Sequence, residues 1–150
     1  NKASVLGKIA NEKFVDTELS KIVRECWYDL PNHYRNCRID EFIIMPDHVH
    51  GIIMLINNYT IKKETGYKPV STKYDRNHSL SEIIRAFKTF SAKRINALQK
   101  TIGQPFWQKD YFERIIRNEN ELNRIREYIF YNPLKYQWER EDIIKLFQQK

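Results

Sequence analysis

The sequence predicts an α+β fold in which an antiparallel hairpin packs against amphipathic helices. Three observations lead to this class. Two β-branched runs are separated by a tight Pro-Asp turn, two long segments repeat apolar residues at helical spacing, and no internal repeat is present. A chain of 150 residues is long enough for one core, so we expect a single domain over residues 1–150.

The N-terminal part is predicted to contain one helix. Residues 18–30 (ELSKIVRECWYDL) place apolar side chains at i, i+3, i+4 and i+7, and Pro31 is expected to end this helix. Residues 1–16 are weakly patterned and supply a strand poorly. Because the chain opens with Asn1 and not Met, we expect the first strand of the fold to be truncated or missing.

A hairpin is predicted next, followed by a loop. Residues 37–45 (CRIDEFIIM) and 48–56 (HVHGIIMLI) are β-branched runs, and Pro46-Asp47 between them is typical of a tight turn or bulge. Residues 57–78 are polar and aperiodic, which predicts a long loop.

The second half is predicted to hold two further helices. Residues 78–100 begin with a Ser cap and a Glu three positions later, and their inward stripe would be Leu80, Ile83, Phe87, Phe90 and Leu98. Residues 106–117 are aromatic and β-rich, which predicts one or two strands. Residues 119–132 form the last clear helical pattern, with Leu122, Ile125 and Ile129 inward and its end at Pro133, and a short helix or tail follows.

The predicted order of elements is strand, helix, strand, strand, helix, strand, helix. If a first strand precedes residue 18, this is the ferredoxin-like βαββαβ order. The expected architecture is therefore a ferredoxin-like antiparallel sheet with helices mainly on one face.

Composition narrows the class of partners. The chain carries 26 Lys and Arg against 19 Asp and Glu, a net charge of +7 with a pI of about 9.4. Such a field attracts polyanions, although basic surfaces also serve solubility alone.

No apolar run approaches 18 residues and no signal-peptide pattern is present, so neither a membrane span nor secretion is expected. Two cysteines without CxxC spacing favour a reducing, cytoplasmic setting.

Two histidines one residue apart stand on the second strand of the hairpin. Side chains at i and i+2 of a strand share a face, so His48 and His50 would lie side by side. This pair is either half of a metal site or a feature of packing, because two ligands rarely hold an ion and catalytic sites normally use three.

The last helix offers further polar groups on the side that faces the sheet. Tyr128 and Asn132 are i, i+4 neighbours that border the stripe of Ile125 and Ile129. They would be a nucleophile and a third ligand. The alternative is that the tyrosine edges an apolar stripe and the asparagine precedes a proline at a helix end.

Four stretches, taken together, resemble the single-tyrosine HUH transposases, and above all the REP-associated tyrosine transposases and their insertion-sequence relatives. They are PDHVHG, LSEIIRAFKTFSAKRIN, FWQKDYFERIIR and ELNRIREYIFYNPLKY, and the match as a whole runs in order from about residue 19 to residue 136. The HUH element (His, bulky hydrophobic residue, His) would be His48-Val49-His50. The resemblance implies an HUH-endonuclease-type fold; the family's first strand is not evident here.

The resemblance also implies a mechanism. The family's nucleophile falls on Tyr128, which would attack single-stranded or hairpin DNA and leave a 5′-phosphotyrosine. Its metal ligands fall on His48, His50 and Asn132, which would bind Mg²⁺ or Mn²⁺. Relatives act as homodimers that exchange the tyrosine helix or as monomers, and both states stay open for this chain.

Basic and aromatic residues are candidates for DNA contact. Arg85, Lys88, Lys93 and Lys100 share the outer side of the long helix, and Trp107 could stack on a base. A solvated helix face and a core tryptophan are the alternatives. For the whole chain, two other functions stay open: a hydrolytic metal-dependent nuclease and a non-catalytic nucleic-acid-binding module.

Overall fold

The computed structural model describes residues 5–10, 13–56 and 77–148, with side chains described as far as residue 138. It has the predicted α+β class. In chain order the elements are β1 (Gly7–Ala10), β2 (Lys13–Asp16), α1 (Glu18–Tyr28), α2 (Leu30–His33), β3 (Cys37–Ile44), β4 (Val49–Leu55), α3 (Leu80–Gln99) and α4 (Glu119–Gln148). Most of the predicted loop 57–78 lies outside the described residues.

The N-terminal region holds more strand than its pattern suggested. β1 and β2 pair antiparallel as a small hairpin, and the backbone N–H of Leu6 donates to the carbonyl of Pro46 at 3.0 Å. Two short strands therefore lie where the sequence supplied a strand poorly and the first strand was expected to be truncated or missing. α1 ends at Tyr28, and Pro31 lies in the first turn of α2, where a proline costs no helical hydrogen bond.

β3 and β4 form the predicted antiparallel hairpin, with one irregularity. Their register leaves Asp40 and Glu41 of β3 opposite the single residue Ile52 of β4. This two-against-one arrangement is a β-bulge, which changes the face to which a side chain points. The bulge lies within β3 and not at the Pro46-Asp47 turn.

The core lies between this hairpin and the helices α1 and α3. Trp27 of α1 stacks on Phe42 of β3, with ring centroids 4.5 Å apart, and meets Phe87 of α3 edge-on at 5.2 Å. Gly51 of β4 faces the same indole, since a Cβ there would overlap Trp27 Cζ2. His50 precedes Gly51 and points to the opposite face, which α4 covers.

The inward side of α3 was predicted only in part. Ile83 and Phe87 are buried, but Phe90 and Leu98 each keep 54% of their surface exposed. The inward positions follow four-residue steps from Ile83 to Ile95. Phe90 and Leu98 lie outside this series, and Leu98 falls in the last turn of α3.

Residues 106–117 were predicted as strands, and that prediction was wrong. Within the described part of the chain this segment is irregular, and its aromatic start packs on α3. The indole N–H of Trp107 donates to the buried hydroxyl of Ser91 at 2.8 Å. Phe112, further along, is 92% exposed. The aromatic side chains pack against a helix and do not mark a pleated surface.

The last helix does not end at Pro133. α4 runs to Gln148 with Pro133 inside it, so the predicted short helix or tail is its continuation. Its start is capped by Asn118, whose side-chain oxygen accepts from the backbone N–H of Glu121 at 2.9 Å. In the described ranges, no helix combines the length and apolar character needed to span a bilayer.

Candidate active site

The paired histidines meet at the start of β4. The Nε2 atoms of His48 and His50 lie 3.0 Å apart, and Oδ1 of Asp47 lies 2.6 Å from Nδ1 of His48. If Nδ1 donates to this carboxylate, the lone pair of Nε2 points toward His50, as in carboxylate–histidine–metal arrangements. Asp47 was not predicted as a site residue, although it directly precedes the histidine pair in sequence.

His50 is held in its neutral form. Burial, together with the smaller effect of the neighbouring His48 ring, lowers the pKa of its imidazole to about 4. At neutral pH the His50 ring therefore carries no charge, and one ring nitrogen has a free lone pair. A neutral imidazole is the form that binds a metal ion.

Tyr128 lies beside this pair. Its ring meets the His50 ring edge to face, with centroids 5.7 Å apart, and both residues belong to the same chain. Tyr128 is 50% exposed, and Nζ of Lys135, two turns later on α4, lies 5.9 Å from its ring centroid. A phenol beside the His50 imidazole and half-exposed to solvent is accessible to a substrate.

Asn132 lies one helical turn after Tyr128, on the buried side of α4. It is 8% exposed, and among the described residues its Nδ2 has no hydrogen-bond partner. An exchange of the two amide atoms would put an unpaired oxygen at the same point. A buried amide with an unused polar atom has the capacity to bind a ligand.

A metal ion would need ligands of more than one type here. No group of three His, Cys, Asp or Glu side chains suited to a metal comes together in the described ranges. The two histidines and the amide of Asn132 supply a mixed set of nitrogen and oxygen donors. Neighbouring ligands about 2.1 Å from an octahedral ion lie about 3.0 Å apart, which the two Nε2 atoms match. The spacing of the two Nε2 atoms therefore fits two neighbouring ligands of one divalent cation.

The candidate DNA-binding residues divide into two sets. Arg85, Lys88 and Trp107 line a groove of about 440 Å³ between α3 and residues 104–111, whereas Lys93 and Lys100 lie outside it. The groove is on the α3 side of the hairpin, and the histidines are on the α4 side. The structure thus separates a basic, aromatic groove from the histidine–tyrosine cluster.

Two of the groove residues already have partners within the chain. Nζ of Lys88 donates to the carbonyls of Lys109 and Asp110 at 3.0 and 3.3 Å, and the indole N–H of Trp107 is bonded to Ser91. Arg85 is exposed. Arg85 and Lys109, which is also exposed, are the groove cations open to a phosphate.

Comparison with known proteins connects this chain to a family. The family described as "Transposase IS200 like" matches residues 69–132. An uncharacterized protein of Haemophilus influenzae is 32% identical over 148 residues, 95% of this chain and 79% of that protein. A second protein of that organism, named "Putative REP-associated tyrosine transposase", is 27% identical over 93 residues, 62% of this chain and 47% of that protein. No solved structure matches.

The matched segment contains α3 and the part of α4 that carries Tyr128 and Asn132. Together with the α+β fold, the family match defines a transposase, an enzyme class that cleaves and transfers DNA strands. The chain belongs to the IS200-like transposase family. Membership of this family implies DNA binding and DNA transposition.

Proposed function

We propose that this protein cleaves and rejoins single-stranded DNA through a covalent 5′-phosphotyrosine intermediate formed on Tyr128. The observation that carries the proposal is the approach of Tyr128 to His50, with ring centroids 5.7 Å apart in one chain. A phenol is the nucleophile that such an intermediate requires, and its half-exposed ring leaves room for a DNA strand.

The chemistry balances without an external energy source. The phenol oxygen of Tyr128 forms a bond to phosphorus while the bond from phosphorus to the 3′ oxygen breaks. The phenol proton passes to solvent, and the 3′ oxygen takes up a proton as it leaves. Attack by a 3′-hydroxyl reverses the step and restores a phosphodiester. One phosphate ester replaces another, so strand transfer is split into two reversible steps.

His48, His50 and Asn132 would hold a divalent cation, Mg²⁺ or Mn²⁺. When bound, the ion would neutralise charge that develops on the scissile phosphate. The imidazoles favour Mn²⁺ on ligand preference. Asp47 holds the His48 ring by its 2.6 Å contact, and burial keeps His50 neutral, so both rings are prepared for coordination.

The substrate we propose is single-stranded or hairpin DNA. The net charge of +7 attracts the DNA backbone, and the groove with Arg85 combines a cation with the aromatic walls of Trp107 and Tyr111. Because Tyr128 lies against a histidine of its own chain, we propose that a monomer assembles a complete site.

The test uses labelled hairpin DNA, Mn²⁺ and a denaturing gel. We expect the wild-type protein to form a covalent adduct that Tyr128→Phe abolishes. Tyr131→Phe is the matched control, since Tyr131 is a 58% exposed tyrosine on the same helix, and it should leave the adduct unchanged. Cleavage that survives Tyr128→Phe would instead indicate a hydrolytic nuclease. Binding without any cleavage would indicate a non-catalytic module.

The histidines are tested by separating cleavage from binding. We expect His48→Ala and His50→Ala to abolish the adduct while DNA affinity is kept, because the groove lies on the other face of the hairpin. Equal loss of both would argue that the histidines are structural. If the site forms within one chain, mixing Tyr128→Phe with His50→Ala should not restore cleavage; restored cleavage would indicate an exchanged helix.

A further inference from the structure

An ion pair joins the tyrosine helix to the hairpin. Arg126 of α4 donates from Nε to Oδ1 of Asp40 at 2.8 Å and from Nη2 to Oδ2 at 2.6 Å. The third nitrogen, Nη1, donates to Asn123 at 3.1 Å. The Asp40 side chain is 14% exposed and that of Arg126 is 35% exposed. A two-pronged contact of this kind fixes both distance and orientation.

The β-bulge brings Asp40 to this position. In a regular strand Asp40 and Phe42 would share a face, because they are two residues apart. Phe42 stacks on Trp27 on the α1 side, whereas Asp40 binds α4 on the opposite side. The extra residue of the bulge accounts for this reversal, and it allows one strand to hold both the core and the tyrosine helix.

Arg126 and Tyr128 lie on either side of the buried line of α4. Ile129, 3% exposed, marks that line. At about 100° per residue, Arg126 lies about 60° to one side of Ile129 and Tyr128 about 100° to the other. A rotation of α4 that moved Tyr128 away from His50 would also have to break the Arg126–Asp40 contact.

We propose that Asp40 and Arg126 are positioning residues that fix the rotation of α4 about its axis and so hold Tyr128 beside His50. The inference rests on the proposed role of Tyr128. Neither residue touches the reacting atoms. Their loss should lower the rate of cleavage without removing the histidines, the phenol or the DNA-binding groove.

The first experiment is a double-mutant cycle on the single-turnover rate of adduct formation at saturating DNA. We expect Asp40→Asn and Arg126→Gln each to lower the rate by about 10²-fold, the usual cost of a displacement of about 1 Å. The double variant should be no slower than either single variant. Arg126→Lys keeps the charge but loses the two-pronged geometry, so it should fall between wild type and Arg126→Gln.

The control is a second ion pair with the same change of charge. Arg94 of α3 meets Glu25 of α1 at 2.5 Å, on the face away from the histidines. Glu25→Gln removes one negative charge, as Asp40→Asn does, and should leave the cleavage rate unchanged. Equal loss in both variants would overturn the proposal, since charge alone would then explain the effect. Rate losses that add in the double variant would also overturn it.

A second readout needs neither DNA nor metal. Hydrogen–deuterium exchange should become faster in the first four turns of α4 in Asp40→Asn and stay unchanged in β4 and in Glu25→Gln. Unchanged exchange in α4 would overturn the positioning role even if cleavage fell. If the wild-type protein forms no adduct, the proposed function fails, and exchange alone decides whether the ion pair holds the helix.

Discussion

Gly51→Ala should destabilise the fold, because Gly51 lies against the buried ring of Trp27 in the core. The added Cβ would overlap Cζ2 of Trp27, lie 2.8 Å from Cη2 and lie 3.1 Å from Cδ2 of Phe42. Ordinary carbon contacts are about 3.5–4.0 Å, so the indole would have to move by roughly 1 Å. Phe42 and Phe87 block that movement, since both rings contact the indole.

The magnitude follows from these contacts. Overpacking a closed core costs about 1–3 kcal/mol, and an indole held on two sides belongs at the upper end. Replacement of a glycine returns about 0.4–1 kcal/mol by restricting the unfolded chain. The net loss should be about 2 kcal/mol, or about 4–8 °C in Tm for a chain of this size. Thermal and urea unfolding of Gly51→Ala measure both quantities.

A second variant tests the cause. Trp27→Phe removes the two indole carbons that the new Cβ would meet. It also removes Nε1, which has no hydrogen-bond partner among the described residues, so no hydrogen bond to them is lost. The double variant should therefore be more stable than the sum of the two single losses predicts. Strict additivity, or a Gly51→Ala variant as stable as wild type, would refute the packing argument.

Three further outcomes are expected. Ser79→Ala removes the hydroxyl that accepts from the backbone N–H of Glu82 at 3.3 Å at the start of α3, and should cost about 1 kcal/mol in urea unfolding. Arg126 lowers the pKa of Asp40 below its ordinary value of 3.8. The stability that this pair contributes is therefore present above pH 3.8 and is lost as pH falls through the lowered pKa. Unfolding measured from about pH 5 downward should show a smaller loss of unfolding free energy in Asp40→Asn than in the wild-type protein. Arg85→Ala should weaken DNA binding in titrations and reduce the salt slope by about one.

The sequence predicted the helices and the central hairpin well, because their apolar periods are long and unbroken. It failed where local pattern does not determine the outcome. Residues 106–117 have β-like composition, but a strand also needs a free edge to pair with, and this segment packs on α3 instead. Pro133 interrupts one backbone hydrogen bond, yet α4 continues through it.

Some features of the candidate site could likewise be predicted from the sequence, and others could not. The side-by-side histidines follow from strand alternation, and the place of Tyr128 beside the buried stripe of α4 follows from helical geometry. The Asp40–Arg126 pair could not be predicted, since it joins residues 86 positions apart and depends on a bulge that no residue pattern in β3 announces. The sequence also could not show that Trp107, a candidate for base stacking, packs against Phe87 and Phe106 while it lines the groove.

β4 couples the stability of the core to the geometry of the site. His50 and Gly51 are adjacent and point to opposite faces, so a shift of β4 away from Trp27 at Gly51 would also move the His50 ring. The bulge in β3 connects α4 to the same hairpin through Asp40. The β3–β4 hairpin thus positions both groups. Its packing on the core places the imidazoles, and its contact with α4 places the phenol. A substitution in the core, such as Gly51→Ala, should then slow cleavage even at temperatures where the protein stays folded.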